Sequence, residues 1–192
     1  MQHLEEEAQW IADALGGNQL AFAQLVERYT GAVYNLCYRM LANQQDAEDA
    51  AQEIFVRAYT RLSSFDRNRR FSTWLLSIAS NYCIDRLRRR RFAWLTLDDV
   101  AFWLPSSESG PERSALQHER DDVVQRALQQ LPEQYRLVTL LRYWYDMSYN
   151  EIAAHTGLTE SALKTRLHRA RKMLGELLAP QGVLEWDEET TS

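Results

Sequence analysis

Apolar residues recur every three to four positions along most of this chain, and the alternation of apolar and polar residues typical of strands is absent. The clearest example is the segment DAEDAAQEIFVRAYTRL. Its apolar side chains repeat at i, i+3, i+4 and i+7, which places them on one face of an α-helix. That face contains Ala47, Ala50, Ala51, Ile54, Phe55, Ala58, Tyr59 and Leu62. The pattern predicts an all-α fold.

Two neighbouring segments continue the helical pattern. Upstream, LAFAQLVERYTGAVYNLCYRML predicts one or two helices. Downstream, a helix is expected to begin near Ser72, whose hydroxyl can cap its first turn, and to run through WLLSIASNYCIDRLRRR. The buried face of this helix is predicted to consist of Leu75, Ile78, Ala79 and Tyr82.

The periodicity breaks after Trp94. The residues that follow are rich in serine, proline and acidic side chains, a composition typical of linkers. Helical periodicity resumes at HERDDVVQRALQQL, and the acidic end of the chain has the composition of a disordered tail. The sequence therefore predicts two small helical domains, residues 1–94 and 119–179, a flexible linker at 95–118 and a tail at 180–192.

The second domain contains the spacing of a helix-turn-helix motif. Ser148 and Glu151 form the S-x-x-E pattern of a capping box at the start of the first helix. Gly157 lies where the turn needs left-handed geometry, and Thr159 can cap the second helix.

The second helix of this motif has two faces. Its core face is predicted to contain Leu163, Leu167, Ala170, Leu174 and Leu177. The opposite face is polar and basic: Ser161, Thr165, His168, Arg169 and Lys172, flanked by Lys164, Arg166 and Arg171. Short polar groups near the start of a helix suit base edges, and cations along it suit phosphates. A recognition helix is favoured over a surface helix with a solvated basic face, because the caps, the turn glycine and the two faces agree.

The formal net charge of −5 conceals two strongly basic segments. Residues 61–92 contain nine arginines and two aspartates, and five of those arginines fall within positions 86–91. Residues 136–178 contain seven Lys or Arg and four acidic residues. Positive charge concentrated in this way predicts contact with a polyanion, while the acidic segments remain available for another partner.

The helix expected from Ser72 has a second face, opposite its core, that carries Trp74, Asn81, Asp85 and Arg88. An aromatic ring, an amide and a cation on one stripe suit single-stranded DNA, because bases stack on rings and arginines contact phosphates. The preceding loop adds further basic and aromatic residues: Arg61, Phe65, Arg67, Arg69, Arg70 and Phe71. Two simpler interpretations remain open, namely that the arginine run is a solvated helix end and that Trp74 belongs to the core.

The sequence gives little support for other classes of protein. The four histidines show no HExxH or comparable spacing, and no phosphate-binding glycine loop or nucleophile elbow is present, so we expect no enzymatic activity, cofactor or metal. Cys37 and Cys83 lie within apolar helical patterns and are expected to be buried free thiols. The acidic start is unlike a signal peptide, and no stretch approaches the roughly 18 apolar residues of a membrane span. A soluble, cytoplasmic protein without membrane insertion is expected.

Three segments resemble the RNA polymerase sigma factors of the extracytoplasmic function (ECF) group, the two-domain members of the sigma-70 family. DAEDAAQEIFVRAY resembles region 2.2, FSTWLLSIASNYCIDRLRRRR resembles regions 2.3 and 2.4, and LPEQYRLVTLLRYWYDMSYNEIAAHTGLTESALKTRLHRARKML resembles region 4. The similarity covers residues 18–92 and 119–178. It implies a transcription initiation factor that binds core RNA polymerase, through the β′ clamp helices and the β subunit, and promoter DNA, and it leaves room for an anti-sigma factor.

The resemblance also implies site residues. The residues implied to dock on the β′ clamp helices are Asp46, Asp49, Gln52 and Glu53. Asp46 and Asp49 could instead be present because their charge suits the positive end of their own helix. A second set is implied to capture a flipped base of the melted minus-ten element and to contact the DNA backbone there. It consists of Arg61, Ser63, Ser64, Phe65, Arg67, Arg69, Arg70, Phe71, Trp74, Asn81, Asp85, Arg88 and Arg89. The residues implied to read the duplex minus-thirty-five element are Ser161, Lys164, Thr165, His168, Arg169, Arg171 and Lys172. The linker resembles the segment that threads the polymerase cleft.

Two other functions remain open from the residues alone. A conventional helix-turn-helix regulator would bind operator DNA without polymerase and would have no use for the surface from Trp74 to Arg91. A protein that only sequesters polymerase would retain the acidic positions but would not need a base-reading face.

Overall fold

The computed structural model describes the backbone of residues 2–95 and 115–181 and the side chains of residues 5–92 and 121–180. These residues form eight α-helices and contain no strand, which confirms the all-α fold. They belong to two compact units, one within Met1–Ala101 and one within Phe102–Ser192. Helices reach into both ends of the expected linker at 95–118, and the rest of that linker lies outside the described residues, as does the tail beyond Gln181.

The first unit contains four helices: α1 (Gln2–Leu15), α2 (Gln19–Leu41), α3 (Gln44–Arg61) and α4 (Phe71–Leu95), with a 3₁₀ turn at Leu62–Ser64. Helix α2 packs against the other three, and α3 also packs against α4. Asparagines begin two of the helices, because Asn18 accepts a hydrogen bond from the Leu20 amide and Asn43 accepts one from the Asp46 amide. The unit is therefore built around α2, with α3 and α4 side by side.

Most of the predicted core positions of this unit are buried. On α3 these are Ala47, Ala50, Ala51, Ile54, Ala58 and Leu62, whereas Phe55 is half-buried and Tyr59 is 41% exposed. On α4, Leu75, Ile78 and Ala79 are buried, but Tyr82 is only half-buried. The prediction that Ser72 caps α4 is wrong, since the helix begins at Phe71 and the Trp74 amide donates to the Arg70 carbonyl oxygen at 3.2 Å.

The two cysteines face one another in the core between α2 and α4. The Sγ of Cys83 donates to the Sγ of Cys37 across 3.8 Å, and both residues are free and buried, which confirms the prediction. The hydrogen bond to Cys37, together with burial, raises the pKa of Cys83 well above its ordinary value. Both features keep this thiol protonated at neutral pH.

A cluster of ion pairs, which we call the Asp46 clamp, joins α3 to the arginine-rich end of α4. Oδ1 of Asp46 accepts a hydrogen bond from Arg86 at 2.5 Å, and Oδ2 accepts one from Arg90. The Asp46 side chain is only 15% exposed, and Arg86 also donates to the Tyr82 hydroxyl at 3.2 Å. Burial alone would lower the pKa of Arg86, but its bonds to Asp46 and Tyr82 raise it. Two of the five clustered arginines therefore hold helices together.

The second unit contains α5 (Ala115–Gln130), α6 (Glu133–Tyr143), α7 (Tyr149–Thr156) and α8 (Glu160–Leu178), followed by a 3₁₀ turn at Ala179–Gln181. Helix α8 packs against the other three helices. Buried Arg136 secures the corner between α5 and α6 by donating to the carbonyl oxygens of Gln129 and Leu131, at 2.9 and 3.2 Å. Burial lowers the pKa of Arg136 to about 10, which leaves the side chain charged at neutral pH.

The helix-turn-helix prediction is confirmed at each of its local signals. The Ser148 hydroxyl accepts from the Glu151 amide and the Glu151 carboxylate accepts from the Ser148 amide, which completes the capping box. Gly157 ends α7 with a φ of +69°, and Thr159 accepts from the Ala162 amide at 3.2 Å.

The core face of α8 matches the prediction except at its end. Leu163, Leu167, Ala170 and Leu174 are buried. Leu177 is only half-buried, and the last core position belongs to Leu178, which is 2% exposed. The prediction for Leu177 is therefore wrong by one residue, at the point where α8 gives way to the 3₁₀ turn.

Replacing Asp46 with Asn is expected to lower the free energy of unfolding of the first unit by about 2 kcal/mol, because two guanidinium groups lose their shared acceptor. Hydrogen exchange of the α3 and α4 amides under native conditions measures this loss. The matched control is Asp49→Asn, an exposed change on the same helix that is expected to cost less than about 0.5 kcal/mol. Equal protection in the two variants would contradict a packing role for the Asp46 clamp.

Candidate nucleic-acid and polymerase interfaces

A cleft of about 270 Å³ opens between α3 and α4 on the surface of the first unit, and we call it the α3–α4 cleft. Five residues that the resemblance assigned to the minus-ten element meet here: Arg61, Ser64, Trp74, Asn81 and Asp85. The other lining residues are Arg57, Ser77, Ile78 and Tyr82. The volume lies just below the roughly 300–1,000 Å³ typical of small-molecule sites, so the cleft suits a ligand as small as a single base.

Asn81 and Trp74 are both accessible from this cleft. Asn81 is exposed, and its amide can both donate and accept hydrogen bonds. Trp74 is half-buried, with its ring centroid 5.3 Å from that of Phe65 and 5.4 Å from that of Phe71. The tryptophan therefore neither belongs wholly to the core nor moves freely, and it offers part of a fixed ring to the cleft.

Phe65 and Phe71 pack against the Trp74 ring. Phe65 is 8% exposed and Phe71 is 2% exposed, and their centroids lie 5.4 Å apart. Neither ring presents a free face for stacking. These two rings hold Trp74 and the loop in place.

Four residues of the cleft were not predicted as site residues: Arg57, Ser77, Ile78 and Tyr82. The Arg57 guanidinium lies 4.8 Å from the centroid of the Tyr82 ring and pairs with Glu53 at 2.7 Å. Arg57 could have been found as the cation four residues after Glu53 on a helix. Tyr82 was predicted to belong to the core because it borders the buried face of α4. It is only half-buried, because the packing of α3 against α4 leaves part of its side chain in the cleft.

A second cleft, of about 530 Å³, lies between α1, α2 and the loop that precedes α4, and we call it the α1–loop cleft. It contains the other loop residues assigned to the minus-ten element: Phe65, Arg67, Arg69, Arg70 and Phe71. It also contains residues that the sequence did not suggest, among them Glu7, Arg28 and Tyr29. The structure thus divides one predicted set of residues between two clefts.

Three members of the predicted minus-ten set line neither cleft. Ser63, Arg88 and Arg89 are exposed. Arg88 lies 3.8 Å from Asp85 at the surface, which places it beside the α3–α4 cleft.

The four residues predicted to dock on polymerase do not form a uniform acidic surface. Asp49 and Gln52 are exposed on α3, and Glu53 is half-buried with Arg57 as its ion-pair partner. The Asp46 carboxylate is occupied by the Asp46 clamp.

The polar face of α8 is exposed along its length. Ser161, Thr165, His168, Arg169 and Lys172 are all accessible, and Arg171 is half-buried. Lys164 is exposed but pairs with Glu160 at 2.7 Å, and this hydrogen bond raises the pKa of Lys164. The Thr165 hydroxyl donates to the Ser161 carbonyl oxygen at 3.0 Å. Arg169 and Lys172 are therefore better placed than Lys164 for phosphate contact.

Two further features bear on chemistry. Among residues 5–92 and 121–180, no group of three or more His, Cys, Asp or Glu is arranged to hold a metal ion. No helix in the described part of the chain is both long enough and apolar enough to cross a membrane.

Comparison with known proteins identifies both units. The Sigma-70 region 2 family matches residues 25–93, and the Sigma-70, region 4 family matches residues 121–174. The ECF RNA polymerase sigma factor SigW of Bacillus subtilis is 39% identical over 84% of this chain and 91% of its own length. The RNA polymerase sigma-H factor of Pseudomonas aeruginosa is 33% identical over 92% of this chain and 95% of its own length.

Solved structures agree with these relatives. The sigma factor RpoE of Bartonella quintana, in complex with the anti-sigma factor NepR, has a TM-score of 0.70 at 25% identity and covers 82% of this chain and 96% of its own. CnrH, in complex with the cytosolic domain of CnrY, has a TM-score of 0.67 at 31% identity and covers 92% of this chain and 99% of its own. The matched regions fall on α2–α4 and on α5–α8. This chain belongs to the ECF group of the sigma-70 family of RNA polymerase sigma factors.

Proposed function

We propose that this sigma factor, which serves transcription initiation, docks on core RNA polymerase through α3, captures the melted minus-ten element in the α3–α4 cleft and reads the minus-thirty-five element as duplex with α8. The observation that carries this proposal is the α3–α4 cleft, where an accessible amide, a supported tryptophan and two arginines converge. A factor that bound only duplex DNA would have no use for a cleft of this size and chemistry.

Base capture has a physical cost that the cleft is suited to offset. Flipping a base out of the stack costs a few kcal/mol. Stacking on an aromatic side chain returns about 1–3 kcal/mol per base, and Trp74 is the ring placed to provide it. Asn81 would recognise the edge of the base, while exposed Arg61 would contact the phosphates of the flipped nucleotide.

Polymerase docking is proposed for the outer face of α3. Asp49, Gln52, Glu53 and Val56 follow the i, i+3, i+4, i+7 spacing of one helix face, and Val56 is 59% exposed. An exposed apolar side chain next to polar groups fits a protein interface, which has an apolar core and a polar rim. We exclude Asp46 from this surface and propose a structural role for it, because both of its carboxylate oxygens already accept hydrogen bonds from α4.

On the second unit, exposed Tyr143 and Trp144 are candidates for the β subunit contact.

The regulator alternative is not favoured, because the family matches cover both units and the first unit carries the cleft. We place RNA synthesis itself in the polymerase, with this chain acting in the cytoplasm as a specificity factor. We also propose control by an anti-sigma factor, supported by the NepR and CnrY complexes of the related RpoE and CnrH structures.

Run-off transcription with purified core enzyme and a random promoter library tests the proposed function directly. Transcripts that begin downstream of a shared pair of elements, and only when this chain is added, are the expected result. Tight duplex binding without polymerase, together with no run-off product, would support the regulator instead.

Replacing Asn81 with Ala is expected to weaken binding of the holoenzyme to a single-stranded minus-ten oligonucleotide by about ten-fold, because about 1–2 kcal/mol of hydrogen bonding to the base is lost. Fluorescence anisotropy of the labelled oligonucleotide measures the change. Asn35→Ala, an exposed change on α2, is the matched control. If both variants bind like the wild type, Asn81 does not read the base.

Charge reversal at Asp49 is expected to reduce affinity for core polymerase by at least about ten-fold, because an interface residue would then repel its cationic partner. Titration of labelled Asp49→Lys sigma factor with core enzyme measures this loss. Glu27→Lys makes the same change of charge at an exposed position of α2 and should bind normally. Equal affinities for the two variants would remove Asp49 from the docking face.

Replacing Lys172 with Gln is expected to weaken holoenzyme binding to duplex minus-thirty-five DNA and to reduce the slope of log K against log salt by about 1, because one phosphate contact is lost. Binding measured at several salt concentrations gives the slope. Arg126→Gln, on α5 outside the recognition helix, provides the control. An unchanged slope for Lys172→Gln would mean that this side chain does not contact phosphate.

A further inference from the structure

Helix α1 precedes residues 25–93, the range matched by the region 2 family, and the function proposed above gives it no task. It packs against α2, and its buried apolar residues include Ile11 and Ala14. It also carries a mostly buried acid, because the Glu7 side chain is only 13% exposed. A carboxylate removed from water costs free energy unless polar or charged partners compensate, so the partners of Glu7 indicate its role.

Two adjacent residues of α2 hold the Glu7 carboxylate. The Tyr29 hydroxyl donates to it at 2.6 Å, and the Arg28 guanidinium lies 3.4 Å away. The same guanidinium lies 5.9 Å from the centroid of the Trp10 ring on α1. Burial, together with the bond to Glu7, raises the pKa of Tyr29, so the phenol remains a hydrogen-bond donor at neutral pH. Glu7 therefore fixes the hydroxyl end of the Tyr29 ring.

From Tyr29, contacts between rings lead to the α3–α4 cleft, and we call these four rings the aromatic row: Tyr29, Phe71, Phe65 and Trp74. The Phe71 centroid lies 5.5 Å from that of Tyr29 and 5.4 Å from that of Trp74. Phe65 lies 5.4 Å from Phe71 and 5.3 Å from Trp74. Phe71 is 2% exposed, and a ring in a close-packed interior cannot turn without displacing its neighbours. The position of Tyr29 is in this way felt at Trp74.

Trp74 is the member of the aromatic row that reaches the α3–α4 cleft. It is half-buried and lines that cleft, so part of its side chain is packed and part is accessible. A stacking partner that is already fixed binds a base more tightly than one that must be immobilised on binding. The affinity of the cleft for a base therefore depends on what holds this ring.

We propose that Glu7 is a positioning residue for base capture. Its bond to Tyr29 anchors the aromatic row, and the row holds Trp74 in the orientation that stacks on the flipped base. This inference rests on the proposed function of the α3–α4 cleft. It makes α1 a support of that site, although the cleft itself is lined by residues of α3, the 3₁₀ turn and α4.

The test measures binding of the single-stranded minus-ten oligonucleotide by the complete holoenzyme. Glu7→Ala is expected to weaken binding by about 5-fold, because Trp74 must then be immobilised when the base binds. Tyr29→Phe, which removes only the hydroxyl, is expected to produce part of this loss. Glu7→Gln retains an oxygen that can accept from Tyr29, and it is expected to bind within about 2-fold of the wild type.

The direction of the change separates positioning from charge. Glu7 lines the α1–loop cleft beside the arginines of the loop, so removing its charge would by itself strengthen phosphate binding. A weaker Glu7→Ala complex is opposite to that electrostatic effect. Glu5→Ala, an exposed change on the same helix, is the matched control and is expected not to weaken binding. Affinity for core polymerase is expected to be unchanged in all of these variants, which separates positioning from general loss of structure.

A second readout needs no DNA. In the free protein labelled with fluorinated tryptophan, the fluorine resonance of Trp74 is the one missing from the Trp74→Phe variant. Glu7→Ala is expected to shift or broaden this resonance, because the ring is no longer held in one orientation. Glu7→Gln is expected to leave the resonance in place.

Four results would overturn the inference: no loss of oligonucleotide affinity in Glu7→Ala or in Tyr29→Phe, a Glu7→Gln variant as weak as Glu7→Ala, an equal loss of core polymerase affinity, or an unaltered Trp74 resonance in Glu7→Ala. The Asn81→Ala variant separates this failure from failure of the base-capture proposal. If only the positioning role is wrong, Asn81→Ala still weakens binding of the oligonucleotide. If base capture is wrong, Asn81→Ala leaves the oligonucleotide bound as tightly as before, and the Trp74 resonance alone reports whether Glu7 holds the ring.

Discussion

Asp46 accepts hydrogen bonds from Arg86 and Arg90, and through them the position of α4 relative to α3 is set. This matters because α3 carries Arg57 and Arg61 while α4 carries Trp74 and Asn81, and the cleft exists only where the two helices meet. A partly buried carboxylate shared by two cations is a stronger constraint than an exposed ion pair. The proposed docking face and the proposed base-reading face are thus sides of one helix pair.

The arginine run of α4 consequently serves two purposes. Positions 86 and 90 are four residues apart and share the side of the helix that faces α3. Arg88, Arg89 and Arg91 are exposed and leave a cationic surface. Five adjacent cations would repel one another in an isolated helix, and the Asp46 carboxylate offsets part of that repulsion. A run of one residue type can therefore combine positions that hold helices together with positions that remain exposed.

The features that could be predicted from the sequence were those specified locally. Ser148, Gly157 and Thr159 act within three or four residues of themselves, so the helix-turn-helix motif was visible in the pattern. The Asp46 clamp links residues 40 and 44 positions apart, and its formation depends on packing that periodicity does not report. The burial of Phe65 and Phe71, and the division of the loop between two clefts, likewise depend on where α1 and α4 pack. Ser72 shows that a good capping residue does not by itself start a helix.

Cys37 and Cys83 are the two cysteines of the chain, and both are sealed in the core of the first unit. Alkylating reagents act on accessible thiolates, so in the native state they do not reach these two buried sulfurs. A single cysteine introduced on α8 or at the rim of either cleft would then be the reactive position, with the native pair left in place. With one such cysteine in each unit, maleimide dyes would allow energy-transfer measurements between the two units during open-complex formation.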